Sequence, residues 1–214
     1  MPPKVLVWDW NGTILDDVLL CYEIENEMLR NRRMPEIPDL ARYLDTFSFP
    51  ICDYYRVLGY TFLDESYEAL SVEFNARYAA QYRQCPLRAG AVQALQAFQR
   101  AGVSQMLLSA TKQERLIEQA QEFGVSSYFD DLVGMTDDLA HSKVERARMR
   151  LLEHGERPEN VLFLGDTDHD FAAASAVGAP CMLVTGGHQS EAVLKRTGAP
   201  VFSDFAELVR TVLA

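Results

Sequence analysis

The feature that most constrains this chain is an alternation of short apolar runs with stretches that stop at a glycine. The runs are KVLVWD (4–9), VSQMLLSA (103–110), FDDLVGM (129–135), VLFLGD (161–166) and PCMLVTGG (180–187). Between them, residues 89–101, 112–123, 142–154, 169–177 and 189–197 read as helices, each followed directly by a glycine. A glycine in that place supplies the left-handed residue on which helices often end. The runs are apolar throughout, without the alternation of a half-exposed strand, so both faces of each must be covered. The pattern predicts an α/β fold, a Rossmann-like parallel sheet wrapped by helices.

Residues 16 to 85 break the rhythm. They hold no convincing buried strand, and in SYEALSVEFNARYAAQY (66–82) apolar and aromatic residues at 67, 70, 74, 78 and 82 share one helical face. We read an inserted helical cap of three or four helices, punctuated by Pro35, Pro38, Pro50 and Gly59. The expected division is a core of 1–15 and 86–214 and a cap of 16–85. Most aromatics on the helical face serve packing. In the cap loop FSFPICDYYR (47–56), Arg56 is a candidate for contacting substrate, or else an ordinary helix residue.

Composition narrows the partners. A net charge of −11 argues against non-specific binding to nucleic acid or anionic membranes. No apolar run reaches the roughly 18–20 residues that span a bilayer, and MPPKVLVWDW lacks the layout of a signal peptide. Cys21, Cys52, Cys85 and Cys181 are spread out with no C-x-x-C pair, which suits reduced thiols. The expectation is a cytoplasmic protein, a monomer or weak homodimer, with no nucleic-acid or membrane partner.

In open parallel sheets, ligands bind beyond the carboxyl ends of the strands. The first strand ends in Asp9-Trp10-Asn11-Gly12-Thr13 and the second in Ser109-Ala110-Thr111. Lys143 opens the helix after the third, and the fourth runs into GDTDHD, which contains Asp166, Asp168 and Asp170. Two or three carboxylates brought together would bind Mg²⁺, which prefers oxygen ligands and shares them with substrate phosphate. Hydroxyls, a lysine and backbone N–H groups would hold the phosphate, and one carboxylate would remain to attack it. Each piece has a plainer reading: Asn-Gly is a strong hairpin-turn signal, and GDTDHD could be only a polar loop. Their order along successive strand ends is what joins them.

DWNGT, LLSAT, Lys143 and GDTDHD resemble, in that order, the four motifs of the haloacid dehalogenase superfamily. The insert is similar to the helical cap of its phosphoglycolate-phosphatase-like subgroup. The resemblance spans nearly the whole chain and implies a Mg²⁺-dependent phosphatase acting on a small phosphorylated metabolite. Asp9 would be nucleophile and metal ligand, and Asn11 would offer its backbone carbonyl to the metal. Asp166 would ligate the metal, and Asp170 would complete that site. Thr13, Ser109 and the adjoining Ala110 would bind phosphate, with Lys143 neutralising charge.

Asn11 departs from the family, which usually places there an aspartate that shuttles the proton. An amide cannot exchange a proton, and losing a general acid–base costs about 10²–10⁴-fold in rate. Phosphonate-cleaving relatives use a cap lysine, but the four lysines are Lys4, Lys112, Lys143 and Lys195, none in the insert. Dehalogenating relatives carry a tyrosine at this position and need no metal, unlike the acid-rich GDTDHD. A histidine can take over proton transfer. His141, His169 and His188 flank motifs, and His188, in TGGHQS after the fifth strand, is the first choice. A phosphotransferase, or a ligand-binding protein with impaired catalysis, remains the alternative reading.

Overall fold

The computed structural model describes residues 2–135, 150 and 155–214. Among the described residues six parallel strands form one sheet: β1 (Val5–Trp8), β2 (Ser104–Lys112), β3 (Asp131–Met135), β4 (Val161–Gly165), β5 (Cys181–Val184) and β6 (Val201–Phe202). Their order is β3-β2-β1-β4-β5-β6. The chain leaves β1 toward β2 and β3, then returns to lay β4 on the other side of β1. That reversal puts a topological switch between β1 and β4, where such sheets open a crevice.

The strands sort their side chains between two cores. Leu6 and Trp8 point into a cluster with Leu95, Phe98, Leu116 and Phe205. Val5 and Val7 point the other way, to Phe163, Ala173 and Leu194. Period-two alternation with both faces apolar is why these strands read as unbroken hydrophobic runs. The helices α5 (Ala91–Arg100) and α6 (Gln113–Glu122) form close to where glycine stops predict them. Buried tryptophans bring polar atoms inside, and both are satisfied: the Trp8 indole N–H donates to Gln105 at 3.0 Å, and that of Trp10 to Gln119 at 2.8 Å. Without such partners each buried N–H would cost about 1–3 kcal/mol.

Between β1 and α5 lie four helices: α1 (Val18–Asn31), α2 (Leu40–Thr46), α3 (Ile51–Val57) and α4 (Tyr67–Gln81). They enclose a separate core that includes Ile24, Met28, Leu29, Tyr43, Tyr54 and Tyr78. β6 and the C-terminal helix Phe205–Leu213 were not expected from sequence. The helix expected over 142–154 lies outside the described residues, apart from Arg150, which is helical. None of the four cysteines is in a disulfide; Cys21 and Cys181 are buried, whereas Cys52 and Cys85 are half-buried. No helix among the described residues is long and apolar enough to cross a membrane.

One buried acid in the cap makes stability depend on pH. Glu25 of α1 accepts a hydrogen bond from the Tyr54 hydroxyl. Burial pushes its carboxyl up to about 8, and the Tyr54 bond and the charge of His188 only partly offset this. The folded protein therefore holds a proton that the unfolded chain releases near the ordinary glutamate range. Stability is fully present below about pH 4.5 and falls as pH rises, until the folded carboxyl also ionises near 8. Glu25→Gln keeps an acceptor for Tyr54 and removes the charge. Urea unfolding at pH 8.5 should show the variant more stable by about 3–5 kcal/mol, with the two proteins converging near pH 4.5. An unchanged gap between those pH values would refute this assignment.

Candidate active site

The carboxyl ends of β1, β2, β4 and β5 share one edge of the sheet, and the polar residues predicted there converge. Asp9 directly follows β1, and its backbone N–H donates to Leu164 of β4 at 2.9 Å. Asp166 follows β4 and is fully buried. Its carboxylate accepts the Thr13 hydroxyl at 2.5 Å and the His188 backbone N–H at 2.7 Å. Asp170 lies in the first turn of α7 (Asp168–Val177), where one oxygen accepts the N–H of Asp166 and both the N–H and hydroxyl of Thr167. Carboxylate oxygens of Asp9, Asp166 and Asp170 lie within 4.8 Å of one another.

That convergence fits a hard divalent cation, because the donors are all oxygen. The electrostatics agree. Burial pushes the Asp166 carboxyl up; the charge of His188 offsets part of this, and that of Asp170 adds to it. A dication among the three would relieve the crowding.

Glycine lets the loops come this close. A Cβ on Gly12 would sit 2.3 Å from an Asp166 carboxylate oxygen and 2.6 Å from the His188 ring, and φ at Gly12 is +74°. A Cβ on Gly187 would sit 2.2 Å from the same oxygen. Asn-Gly is therefore no hairpin here: it carries the chain from a parallel strand past a carboxylate that no larger residue could approach.

Asn11 is held on both sides of its amide. Its side-chain oxygen accepts from the hydroxyls of Ser109 (3.3 Å) and Thr111 (3.1 Å). Its NH₂ donates to Asp17 (2.7 Å) and to the Tyr78 hydroxyl (2.8 Å). Tyr78 donates in turn to Asp17 at 2.6 Å, and the Gly12 N–H donates there at 2.9 Å. Asp17, which precedes α1, is fully buried and is the hub that sequence reasoning passed over.

His188 completes this group. Its Nε2 lies 3.3 Å from Asp17 Oδ1, and its Nδ1 lies 2.8 Å from the Tyr43 hydroxyl. Burial pushes the imidazole down, but the bond to and charge of Asp17, with the charges of Asp166 and Asp9, outweigh it and carry the ring up to about 9. Burial pushes Asp17 up, yet His188, Tyr78 and Asn11 together hold its carboxyl below the usual range. The two form a buried ion pair beside the metal-type cluster.

The remaining predicted residues differ in where they lie. Thr13 is fully buried with its hydroxyl given to Asp166, so that side chain steadies a carboxylate. Ala110 is exposed in the last part of β2. Arg56 is exposed on α3, paired with Asp53 and lying over Phe62, apart from the convergent group. His169 stacks on the cap's Phe49 at 4.4 Å between ring centroids, a docking contact. Lys143 and His141 lie outside the described residues.

The cap is seated on these loops. Phe47 lies 5.0 Å from the His188 ring, and its carbonyl accepts from Gln189 at 3.0 Å. The Ser190 N–H donates to Leu44 at 3.0 Å. Behind the site, Arg88 donates to the carbonyls of Gly12 (2.8 Å) and Thr185 (2.6 Å), tying the β1 and β5 loops together. Tyr78, Tyr43, Gln189 and Arg88 carried no motif signal of their own.

Comparison with known proteins accords with this geometry. The chain is 27% identical over 198 residues to phosphoglycolate phosphatase 1 of Pseudomonas aeruginosa, covering 87% of this chain and 71% of that protein. It is 25% identical over 210 residues to the tyrosine-protein kinase PtkA of Mycobacterium tuberculosis, covering 96% and 70%. The fold superposes on a predicted phosphatase from Clostridium acetobutylicum with a TM-score of 0.83 at 18% identity, over 100% of this chain and 99% of that one. Residues 6–184 match the haloacid dehalogenase-like hydrolase family, and the chain belongs to that family as a member resembling the phosphoglycolate phosphatases.

Proposed function

We propose that this protein is a Mg²⁺-dependent phosphatase that hydrolyses a small phosphate monoester through a phosphoaspartyl intermediate on Asp9. The convergence of the Asp9, Asp166 and Asp170 oxygens beyond the ends of β1 and β4 carries the reading. Asp9, the Asn11 backbone carbonyl, Asp166 and Asp170 would hold Mg²⁺. The ion would neutralise charge on the phosphate and orient it toward the nucleophile.

In the first half-reaction a carboxylate oxygen of Asp9 attacks phosphorus and the P–O bond to the alcohol breaks. His188 gives its proton to the departing oxygen. In the second, water attacks the phosphoryl group on Asp9, and the neutral imidazole takes the proton from that water. Phosphate leaves and His188 is recharged. Asp17 orients the imidazole through Nε2, so the proton would leave and return at Nδ1 by way of the Tyr43 hydroxyl 2.8 Å away. Ser109 and Ala110, at the carboxyl end of β2, would border the phosphate position, and by the family resemblance Lys143 would neutralise its charge. The seated cap, with Phe47 over His188, suits a small substrate from which water is excluded. By similarity to the relative in Pseudomonas aeruginosa, 2-phosphoglycolate is the first candidate. A cytoplasmic monomer or weak homodimer is the proposed setting, supported by the acidic composition and by cysteines that form no disulfide.

A second reading draws on Asn11. An amide there slows dephosphorylation, and a persistent phospho-Asp9 could pass its phosphate to another alcohol or phenol. The similarity to PtkA favours keeping this phosphotransferase reading. Release of phosphate from p-nitrophenyl phosphate by wild type and Asn11→Asp, with and without EDTA, separates the two. The hydrolase reading expects EDTA-sensitive wild-type turnover and no gain in Asn11→Asp. That substitution sets a second carboxylate against Asp17 and should lower stability by about 1–3 kcal/mol. A wild type at background beside an active Asn11→Asp would replace the hydrolase with the phosphotransferase.

A further inference from the structure

A second potential ligand set lies next to the all-oxygen cluster, and its chemistry is different. Asp17, Cys21 and His188 are all buried, and their ligand atoms lie within 4.8 Å of one another. His188 Nε2 is 3.3 Å from Asp17 Oδ1, and Cys21 Sγ is 4.0 Å from Asp17 Oδ2. Asp17 precedes α1 and Cys21 stands four residues on, a spacing that puts both on one helical face. Tetrahedral zinc bonds of about 2.0–2.3 Å place neighbouring ligand atoms about 3.3–3.7 Å apart. The imidazole–carboxylate distance already matches, and the sulfur, within 4.8 Å of the other ligand atoms, has to draw in by no more than about 1 Å.

We propose that Asp17, Cys21 and His188 form a binding site for a borderline-soft divalent cation of the zinc type, and that its occupation switches the enzyme off. Thiolate and imidazole select this class over Mg²⁺, which the neighbouring oxygen cluster suits. The outer partner of the histidine is present: with Nε2 on the metal, Nδ1–H donates to the Tyr43 hydroxyl now 2.8 Å away. The surroundings are negative. Burial, then Asp17 and Glu25, push the Cys21 thiol up. The carboxylates that disfavour a bare thiolate favour one neutralised by a dication.

On binding, the Cys21 S–H bond breaks and its proton goes to solvent. The imidazolium likewise loses its Nε2 proton, and sulfur, nitrogen and carboxylate each donate a pair to the metal without change of oxidation state. Asp17 and His188 are then committed to the cation, and Asp17 is drawn from Asn11. The binding claim stands by itself; the inhibitory consequence rests on the proposed hydrolase reading.

Cobalt(II) titration of the whole protein in excess Mg²⁺ tests the site. The wild type should develop the near-ultraviolet thiolate-to-cobalt charge-transfer band. The band should vanish in Cys21→Ser and persist in Cys52→Ser and Cys85→Ser. No band in the wild type, or a band surviving in Cys21→Ser, overturns the proposal. Zinc X-ray absorption on the wild type, which requires no variant to fold, should show one sulfur at about 2.3 Å; a shell of nitrogen and oxygen alone overturns it. For inhibition, the Zn²⁺ concentration that halves p-nitrophenyl phosphate hydrolysis should rise about 10–100-fold in Cys21→Ser. Unchanged sensitivity removes the inhibitory role. A wild type that hydrolyses nothing counts against the hydrolase reading, while the cobalt band still decides the metal site.

Discussion

Asp9→Asn should reduce kcat by at least about 10⁴-fold while leaving the protein folded. The size follows from the role: removing a covalent nucleophile leaves only binding and electrostatic stabilisation, and such losses run to about 10⁴–10⁶-fold. The substitution is nearly isosteric. It also removes one of three carboxylates whose oxygens converge within 4.8 Å, so repulsion falls and thermal stability should hold or rise. Loss of activity with a raised or unchanged Tm distinguishes lost chemistry from lost structure. Acid quenching during turnover should trap one phosphoryl group on the wild-type peptide containing Asp9 and none on the variant. Phosphoryl label elsewhere in the wild type would place the nucleophile on another residue.

Asp17→Asn should be the next most damaging change, lowering kcat by about 10²–10⁴-fold although this residue is not proposed to touch the reacting phosphate. The carboxylate orients the His188 ring from 3.3 Å and accepts from Asn11, Tyr78 and the Gly12 N–H. An amide there turns one acceptor into a donor that faces other donors. Breaking a buried ion pair from one side costs about 3–5 kcal/mol, so urea unfolding should shift alongside activity. A double-mutant cycle isolates the positioning role. If Asp17 acts through His188, then Asp17→Asn with His188→Ala should be little slower than His188→Ala alone. Multiplying losses would mean that the two residues act independently.

Some of this was written plainly in the chain and some was not, for physical reasons. β1, β4 and β5 were legible because strands buried on both faces are almost wholly apolar, and β2 and β3 because their central runs, residues 106–108 and 132–133, still are. β6, with only Val201 and Phe202, is too short to carry a period, and the helix Phe205–Leu213 was not marked by the glycine stops that flagged the others. The strand-end residues Asp9, Ser109 and Asp166 could be placed because parallel topology sends every strand's carboxyl end to one edge. His188 could be found for the same reason. Asp17, Tyr78 and Tyr43 could not, since what brings them to that edge is the packing of the cap, and no local pattern encodes it. Arg56 attracted notice for its charge in an aromatic loop, but its helix turns it outward. Arg88 does the binding of loops, from a stretch with no motif.

Asn11 draws its partners from three separate parts of the chain: Ser109 and Thr111 at the end of β2, Asp17 ahead of α1 and Tyr78 on α4. A carboxamide can accept from two hydroxyls on one side while donating to a carboxylate and a phenol on the other, and a carboxylate cannot. Positions 11 and 17 therefore constrain each other. An acid at position 11 would set its charge against Asp17, which now accepts from the Asn11 amide at 2.7 Å. Removing the charge at position 17 first would leave the buried His188 ring without its partner 3.3 Å away. The two side chains can be exchanged together more easily than one at a time.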